Sequence, residues 1–163
     1  MRVGQGFDVH ALAPGRALVL GGIEIPAVET GGRGLAGHSD GDVLLHAIAS
    51  ALLGALGEGD LGQHFPSTDT SLAGIASGSL LARVWAMASA AGFELCNVDA
   101  TVIAQVPRLA PYQAKMRANV AALLEVGPER VNVKVTSTDR LGTIGRGEGI
   151  AAMAVVLLRA LAK

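Results

Sequence analysis

Apolar and polar residues alternate in several short segments of the chain, a pattern typical of half-buried strands. The alternation is strict over residues 131–136, and residues 93–105 are rich in β-formers with valines and alanines on one face. Residues 17–20 and 23–26 are two β-prone runs joined by Gly-Gly, which tolerates the positive φ of a tight turn. We predict strands in these segments, with the last two forming a hairpin.

Apolar residues recur at helical spacing in three longer segments, residues 40–56, 79–91 and 111–125. Gly57 and Gly92 follow the first two, as expected for a glycine just beyond a helix end. The third segment opens with a proline, which is favoured at the first helical position. These segments are predicted to be helices.

Three other segments carry no clear pattern. Residues 30–34 are glycine-rich and are expected to form a mobile loop leading to His38, and residues 59–69 are polar and irregular. In residues 149–161, alanines and leucines favour a helix while paired valines favour a strand. Because strands and helices interleave, we expect residues 1–163 to form one domain, α/β or α+β, with helices packed on a single sheet.

Composition narrows the function classes. Of the 163 residues, 50% are hydrophobic but only 3% are aromatic, so the core must consist of small and branched aliphatic side chains. The net charge of −1 gives no basic face for a nucleic-acid partner. A charge precedes any apolar stretch at the start, and the longest apolar run, residues 150–158, is too short for a bilayer. With Cys96 as the single cysteine, we expect a cytoplasmic protein without a membrane partner.

Two short polar segments contain a candidate metal site. In an extended segment, Asp8 and His10 point to the same side and can converge on one ion. His46 lies in the first predicted helix, for which Ser39 and Asp40 are candidate caps. Two imidazoles and one carboxylate leave an open position, which is typical of catalytic zinc.

Each of these residues also has a simpler explanation. Asp8 alone could be a turn former, and a lone histidine is more often a hydrogen-bonded core residue than a ligand. However, the chain has four histidines, and His10, His38 and His46 fall within about a quarter of its length, each close to an aspartate. This clustering favours the metal site.

A second polar cluster follows the clearest predicted strand. Residues 136–139 supply three hydroxyls and a carboxylate, and residues 145–149 are Gly-Arg-Gly-Glu-Gly. Hydroxyls and backbone amides suit a phosphate, and a carboxylate suits a second divalent ion. A solvated turn is the alternative, and the glycine run lacks the lysine of a P-loop.

Taken in order, these motifs resemble the 2-C-methyl-D-erythritol 2,4-cyclodiphosphate synthases of the non-mevalonate isoprenoid pathway. The resemblance spans nearly the whole chain and rests on residues 2–10, 38–42 with His46, 59–62, 65–66, 104–107 and 145–150. It implies an α+β, ferredoxin-like single domain with a mixed sheet, helices on one face and a strand at the C-terminal end. It also implies a homotrimer with active sites at the subunit interfaces.

The resemblance implies an enzyme that converts 4-diphosphocytidyl-2-C-methyl-D-erythritol 2-phosphate into the cyclic diphosphate and releases CMP. Zinc is expected at Asp8, His10 and His46, and a second divalent ion, magnesium or manganese, near Asp139. Catalytic roles are implied for His38, Ser137 and Asp139. Substrate contacts are implied for Asp8, His10, His38, Ser39, Asp60, Leu61, Gly62, Phe65, Pro66, Ser67, Thr68, Asp69, Ala104, Gln105, Val106, Pro107, Arg108, Leu109, Ala110, Thr136, Ser137, Thr138, Asp139, Thr143 and Arg146.

Three positions depart from the family pattern. Asp139 stands where glutamate is common, Ser137 replaces a usual threonine, and Thr143 stands where an aromatic residue often lines the cavity of the trimer. The last departure argues against binding of a prenyl diphosphate there. Two other functions are alternatives. A metal-dependent phosphoesterase would use the same ligands and would turn over simple phosphate esters. A non-enzymatic ligand-binding or structural zinc domain is favoured if removal of the metal unfolds the chain.

Overall fold

The computed structural model describes residues 1–161, which form one mixed α+β domain. Its strands are β1 (Arg2–Pro14), β2 (Leu18–Leu20), β3 (Ile23–Ile25), β4 (Arg33–Leu35), β5 (Phe93–Ile103), β6 (Val131–Thr136) and β7 (Gly149–Ala160). Its helices are α1 (Val43–Leu56), α2 (Leu61–His64), α3 (Ser77–Ala90), α4 (Gln113–Leu123) and α5 (Gly142–Gly145). Short 3₁₀ turns cover Ala27–Thr30, Thr70–Leu72, Ala110–Tyr112 and Pro128–Arg130.

The main sheet has the strand order β4-β1-β7-β5-β6, and β2 and β3 form a separate hairpin. β7 lies between β1 and β5 and pairs antiparallel with both of them, whereas β5 and β6 are parallel neighbours. The chain therefore leaves β1, crosses the sheet through α1 and α3, and returns as β5 with one strand position left free for β7. This split crossover places the ends of β1 and β5 at the same edge of the sheet.

The contact between β1 and α1 depends on glycine. Gly4 and Gly6 face the helix, and a Cβ at Gly6 would lie 2.0 Å from the carbonyl oxygen of Ala47 and 2.7 Å from the nitrogen of Ala51. Both obstacles are backbone atoms, so no rotamer change could relieve them. The absence of side chains on the strand lets the helix backbone lie directly on it, and this close approach brings His46 to Asp8.

One face of the sheet is buried and the other is open. The described helices pack on the face formed by alternate residues such as Leu95, Val98 and Val133, which are almost fully buried. On the opposite face, large apolar side chains of β1 and β7 are exposed, including Val3 (68%), Phe7 (54%), Val9 (49%), Met153 (45%) and Val155 (44%). The monomer therefore presents an unpartnered apolar sheet face, called the open face below.

Most predicted elements are confirmed. The hairpin turns at Gly21 and Gly22, both with positive φ, and residues 131–136 form β6. The predicted helices correspond to α1, α3 and α4, with the boundaries shifted by up to three residues. Residues 149–160 form a strand, because β7 hydrogen-bonds to a neighbour on each side, and tertiary pairing overrides its helical propensity.

Three sequence-based expectations were wrong. The glycine-rich segment 30–34 is not only a loop, since it leads directly into β4, which pairs with the end of β1. The segment 59–69 contains the one-turn helix α2. Neither Ser39 nor Asp40 caps α1; the N-cap is Asp42, whose side chain accepts from the amides of Leu44 and Leu45.

Among the described residues, no helix combines the length and the apolar character needed to cross a membrane. Ala162 and Lys163, the end of the predicted domain, lie outside the described residues.

Candidate active site

Asp8, His10 and His46 form a cluster that could hold a metal ion. Asp8 Oδ2 lies 3.1 Å from His10 Nε2 and 2.9 Å from His46 Nδ1, and the possible ligand atoms all lie within 4.8 Å of one another. β1 supplies Asp8 and His10 on one face of the strand, and the first turn of α1 supplies His46. The structure thus brings together the three ligands that the sequence predicted.

Charge within the cluster favours metal binding. Burial by itself raises the pKa of Asp8, but hydrogen bonds and charge interactions with His10 and His46 lower it far below its usual range. The hydrogen bond to Asp8 raises the pKa of His10, against the opposing effect of burial. The carboxylate is therefore ionised, and each imidazole places one ring nitrogen within hydrogen-bond distance of it, so a cation between them would meet two nitrogen donors and one oxygen donor.

Asp42 fixes the beginning of α1 next to this cluster. Its Oδ1 accepts from the amides of Leu44 and Leu45 at 3.1 Å each, and its Oδ2 accepts from the amide of Gly22 at 2.7 Å. The side chain is fully buried, and burial raises its pKa to about 6. Asp42 thus ties the β2–β3 hairpin to the helix that carries His46.

The cluster opens into a cavity of about 210 Å³. Nine of the predicted site residues line it: Asp8, His10, His38, Ser39, His46, Leu61, Gly62, Phe65 and Ser67. Leu72, Ile75 and Leu80 complete an apolar wall that the sequence did not predict. The exposed imidazole of His38 lies with Nε2 3.2 Å from the carbonyl oxygen of Asp69.

A second cavity, of about 400 Å³, lies between the segment after β5 and the end of β6. Its predicted site residues are Ala104, Gln105, Pro107, Arg108, Leu109, Ala110, Thr136 and Ser137, and Pro111 and Val135 also line it. Backbone groups and hydroxyls at its wall suit a polar ring and a phosphate. No residue lines both cavities.

Residues 138–141, beyond the end of β6, lie outside both cavities. Asp139 and Arg140 have φ of 50° and 66° in a tight turn closed by a bond from Leu141 N to Thr138 O at 2.9 Å. Asp139 is exposed, with Oδ1 3.4 Å from the hydroxyl of Ser137. The metal cluster of the described residues does not include it.

The remaining predicted residues line neither cavity: Asp60, Pro66, Thr68, Asp69, Val106, Thr138, Asp139, Thr143 and Arg146. Asp60 caps α2 through the amide of Gln63, and Arg146 forms an exposed ion pair with Glu148. Pairing across the sheet aligns Val9, Ala151, Ile103 and Thr136. Thr136 is therefore three strand spacings, about 14 Å, from Val9. Within one chain, the two groups of predicted residues do not meet.

Sequence reasoning missed several residues that shape the metal cluster. Arg16 donates to the carbonyls of Leu35, Gly37 and Ser39, and so holds the backbone before and after His38. Ser77, at the start of α3, faces His46. No local pattern identifies these residues, since each acts on a partner at least 19 positions away.

A family model described as the YgbB family matches residues 1–159. The chain belongs to this family. A curated 2-C-methyl-D-erythritol 2,4-cyclodiphosphate synthase of Geobacillus kaustophilus (strain HTA426) is 58% identical over 158 residues, which are 97% of this chain and 98% of the relative. The resemblance inferred from the sequence motifs is therefore confirmed, as is the prediction that the chain is an enzyme.

Solved structures agree with this assignment. IspF of Plasmodium falciparum in a CDP complex has a TM-score of 0.85 and 30% identity, with 99% of this chain and 97% of that chain covered. A bifunctional IspDF of Campylobacter jejuni has a TM-score of 0.92 and 41% identity. The match covers 98% of this chain but 42% of that longer one, so it concerns only part of the bifunctional protein.

Proposed function

We propose that the chain converts 4-diphosphocytidyl-2-C-methyl-D-erythritol 2-phosphate into 2-C-methyl-D-erythritol 2,4-cyclodiphosphate, releasing CMP, within the non-mevalonate isoprenoid pathway. The observation that carries this proposal is the cluster of Asp8, His10 and His46 at the wall of a cavity, in a chain of the YgbB family. The curated relatives at 54–58% identity are named as synthases of this cyclic diphosphate.

We propose zinc at this cluster. Two nitrogens and one oxygen within 4.8 Å fit its preferred donors, and a three-residue set leaves a position for substrate. When bound, zinc neutralises negative charge on a phosphate and makes its phosphorus more electrophilic. The low pKa of Asp8 keeps the carboxylate ionised for this role.

The proposed reaction needs no activated protein nucleophile. An oxygen of the substrate's own 2-phosphate attacks the β-phosphorus, and the bond from that phosphorus to the oxygen it shares with the α-phosphate breaks. CMP leaves with that oxygen, so atoms and electrons balance. The chain then has to hold the substrate with its 2-phosphate next to its diphosphate and to neutralise the negative charge of these phosphates. His38 lies at the cavity wall, where an imidazole can donate to a phosphate oxygen.

The second cavity is the proposed cytidyl pocket. It is formed by the segment from Ala104 to Ala110, and the hydroxyls of Thr136 and Ser137 are at its wall. CDP in the Plasmodium falciparum relative contains the cytidine and diphosphate of the proposed substrate, which supports a pocket for that group in this family.

We propose a homotrimer, which the separation of the two cavities supports. One chain holds the metal cluster and the proposed cytidyl pocket in places that share no residue, so a complete site needs a neighbour's pocket beside each cluster. The open face offers apolar area for such an assembly. We propose trimers with active sites at the interfaces, built from single-domain subunits covering residues 1–163. The split crossover of β1, β7 and β5 supports the ferredoxin-like description of the subunit.

A second divalent ion, magnesium or manganese, is proposed near Asp139. The exposed carboxylate and the hydroxyl of Ser137 are hard oxygen donors beside the proposed phosphate end of the cytidyl pocket. A cytoplasmic location is proposed as well, since the free thiol of Cys96 suits a reducing compartment.

The proposed reaction is tested by incubating the protein with the cytidyl substrate and measuring the release of CMP by chromatography. Cyclisation yields CMP and one cyclic product. Hydrolysis of simple phosphate esters without cyclisation would identify a phosphoesterase instead, and unfolding on zinc removal would identify a structural zinc domain.

Asp139 variants test the second ion. Asparagine keeps the size and tolerates the positive φ at this position, so Asp139→Asn isolates the charge. We expect zinc to stay bound and CMP release to slow about 10²-fold or more, while Asp139→Glu keeps its activity. Turnover is measured against magnesium and manganese concentration. If the Asn variant has the turnover of wild type at every metal concentration, Asp139 only forms the turn and does not hold a second ion.

Phe7→Glu tests the trimer, because Phe7 lies in the open face and is half exposed in the monomer. Burying a carboxylate in an interface is strongly unfavourable, so we expect monomers that bind zinc but release no CMP. Val28→Glu, at an exposed position outside the sheet, is the matched control and leaves the trimer intact. Light scattering that finds a fully active wild-type monomer would refute the interface sites.

A further inference from the structure

His46 has two ring nitrogens with different surroundings. Nδ1 faces Asp8 at 2.9 Å and so belongs to the metal cluster. Nε2 points away from the cluster, toward two hydroxyls: Ser77 Oγ at 2.9 Å and Ser39 Oγ at 3.2 Å. Both serines are buried, with 1% and 6% of their surface exposed, so water does not compete freely for these bonds.

The hydroxyl of Ser77 has one proton, and its geometry assigns that proton to Asp40. Ser77 Oγ donates to Asp40 Oδ1, and the amide of Ser77 donates to Asp40 Oδ2 at 3.0 Å. Asp40 Oδ1 also accepts from the amide of Asp42 at 3.2 Å, so both carboxylate oxygens act as acceptors. With its proton committed, Ser77 Oγ can only accept from Nε2–H of His46.

This chain of hydrogen bonds suits the tautomer that His46 needs as a metal ligand. Without a cation, Nδ1 lies within hydrogen-bond distance of Asp8 Oδ2, at 2.9 Å, whereas a cation bound to Nδ1 requires the ring proton to be on Nε2. In a metal-bound ring, the Nε2 proton faces Ser77 Oγ at 2.9 Å, which has only lone pairs left to accept it. Ser39 is also the more distant partner, and its Oγ already accepts from the amide of Gly41 at 3.1 Å.

We propose that Ser77 and Asp40 are positioning residues for His46: they hold a proton on Nε2 and so direct the Nδ1 lone pair to the metal. This role rests on the proposed zinc site. It also explains why α3 begins at Ser77 without a side-chain cap from Ala76, since the carboxylate of Asp40 binds the free amide of Ser77 instead. The start of α3 and the metal cluster are therefore one hydrogen-bonded unit.

Zinc affinity tests the proposal in competition with a chromogenic chelator. Partners that orient a ligating histidine typically contribute about 10–100-fold to metal affinity, so we expect Ser77→Ala to raise the zinc Kd by about that factor. Ser79→Ala removes an exposed hydroxyl two residues along the same helix and is the control, with the Kd of wild type. Urea unfolding of the metal-free proteins measures stability separately. An unchanged zinc Kd in Ser77→Ala overturns the proposal, whatever its stability.

Nitrogen NMR of the ¹⁵N-histidine-labelled wild-type chain gives a readout that needs no variant. We expect a protonated Nε2 of His46 in the zinc-loaded protein, with Nδ1 as the zinc-bound nitrogen. An unprotonated Nε2, or zinc on Nε2, overturns the positioning role. Wild-type protein that binds no zinc contradicts the proposed function and the positioning role with it, whereas zinc-loaded protein with an unprotonated Nε2 contradicts the positioning role alone.

Discussion

Gly6→Ala is the sharpest test of how the fold assembles the metal cluster. An added Cβ would lie 2.0 Å from Ala47 O and 2.7 Å from Ala51 N, and both are backbone atoms of α1. Ordinary contact distances exceed 3.0 Å, so β1 and α1 would have to separate by about 1 Å. Neither partner can adjust by changing a rotamer.

The expected cost follows from this geometry. Overpacking a core with one methyl group typically costs about 1–3 kcal/mol, and a clash between two backbones belongs at or above the upper end. The separation also changes the site, because Asp8 lies two residues beyond Gly6 and His46 precedes Ala47. Widening the 2.9 Å contact of Asp8 and His46 by about 1 Å exceeds the roughly 0.2 Å tolerance of metal–ligand distances. We therefore expect weaker zinc binding together with lower stability.

Urea unfolding at fixed protein concentration and a zinc competition titration measure the two effects. Gly54→Ala is the matched control: it makes the same chemical change within α1, but the nearest atom to its Cβ is 3.7 Å away. There the substitution should stabilise the helix by about 0.5–1 kcal/mol and leave zinc binding unchanged. If Gly6→Ala unfolds at the same urea concentration as wild type and binds zinc equally well, the close packing of β1 on α1 does not position the ligands.

Two further variants probe the same region. His46→Ala should lose stoichiometric zinc in metal analysis while sedimentation still finds folded trimers, since an open site contributes less to folding than a closed one; full zinc occupancy would exclude His46 as a ligand. Asp42→Asn should cost about 1–3 kcal/mol in urea unfolding, because its NH₂ would face the amide of Gly22. Since burial raises the pKa of Asp42 from 3.8 to about 6, wild type loses stability as pH rises through that window. The Asn side chain does not titrate, so the difference in the free energy of unfolding between wild type and Asp42→Asn should shrink as pH rises from about 4 to about 6. A difference that stays constant would contradict the raised pKa of Asp42.

Local spacing in the sequence was enough to predict much of the cluster. Residues two apart in a strand share a face, so Asp8 and His10 could be paired before any fold was known. The apolar run around His46 predicted its helix, and strict alternation predicted β6. These inferences succeeded because each depends on the geometry of one element.

The sequence motifs, by contrast, carried the family assignment and the residues of the second cavity. Periodicity alone could not relate the segment after β5 to the end of β6, because parallel pairing brings them together across the helix between them. Periodicity also could not identify β7 as a strand, because its composition suits a helix as well. The hydrogen bonds from β1 and β5 on its two sides make it a strand.

Tertiary structure also decided which of several similar polar residues does what. Ser39, Asp40 and Asp42 are all plausible helix caps by type, but only Asp42 also reaches the amide of Gly22, and burial against that hairpin selects it. Asp40 is left to bind Ser77, a residue 37 positions away. Local sequence determined the ligands themselves, whereas the hydrogen-bond partners that orient them depend on distances between elements, which only the packed fold sets.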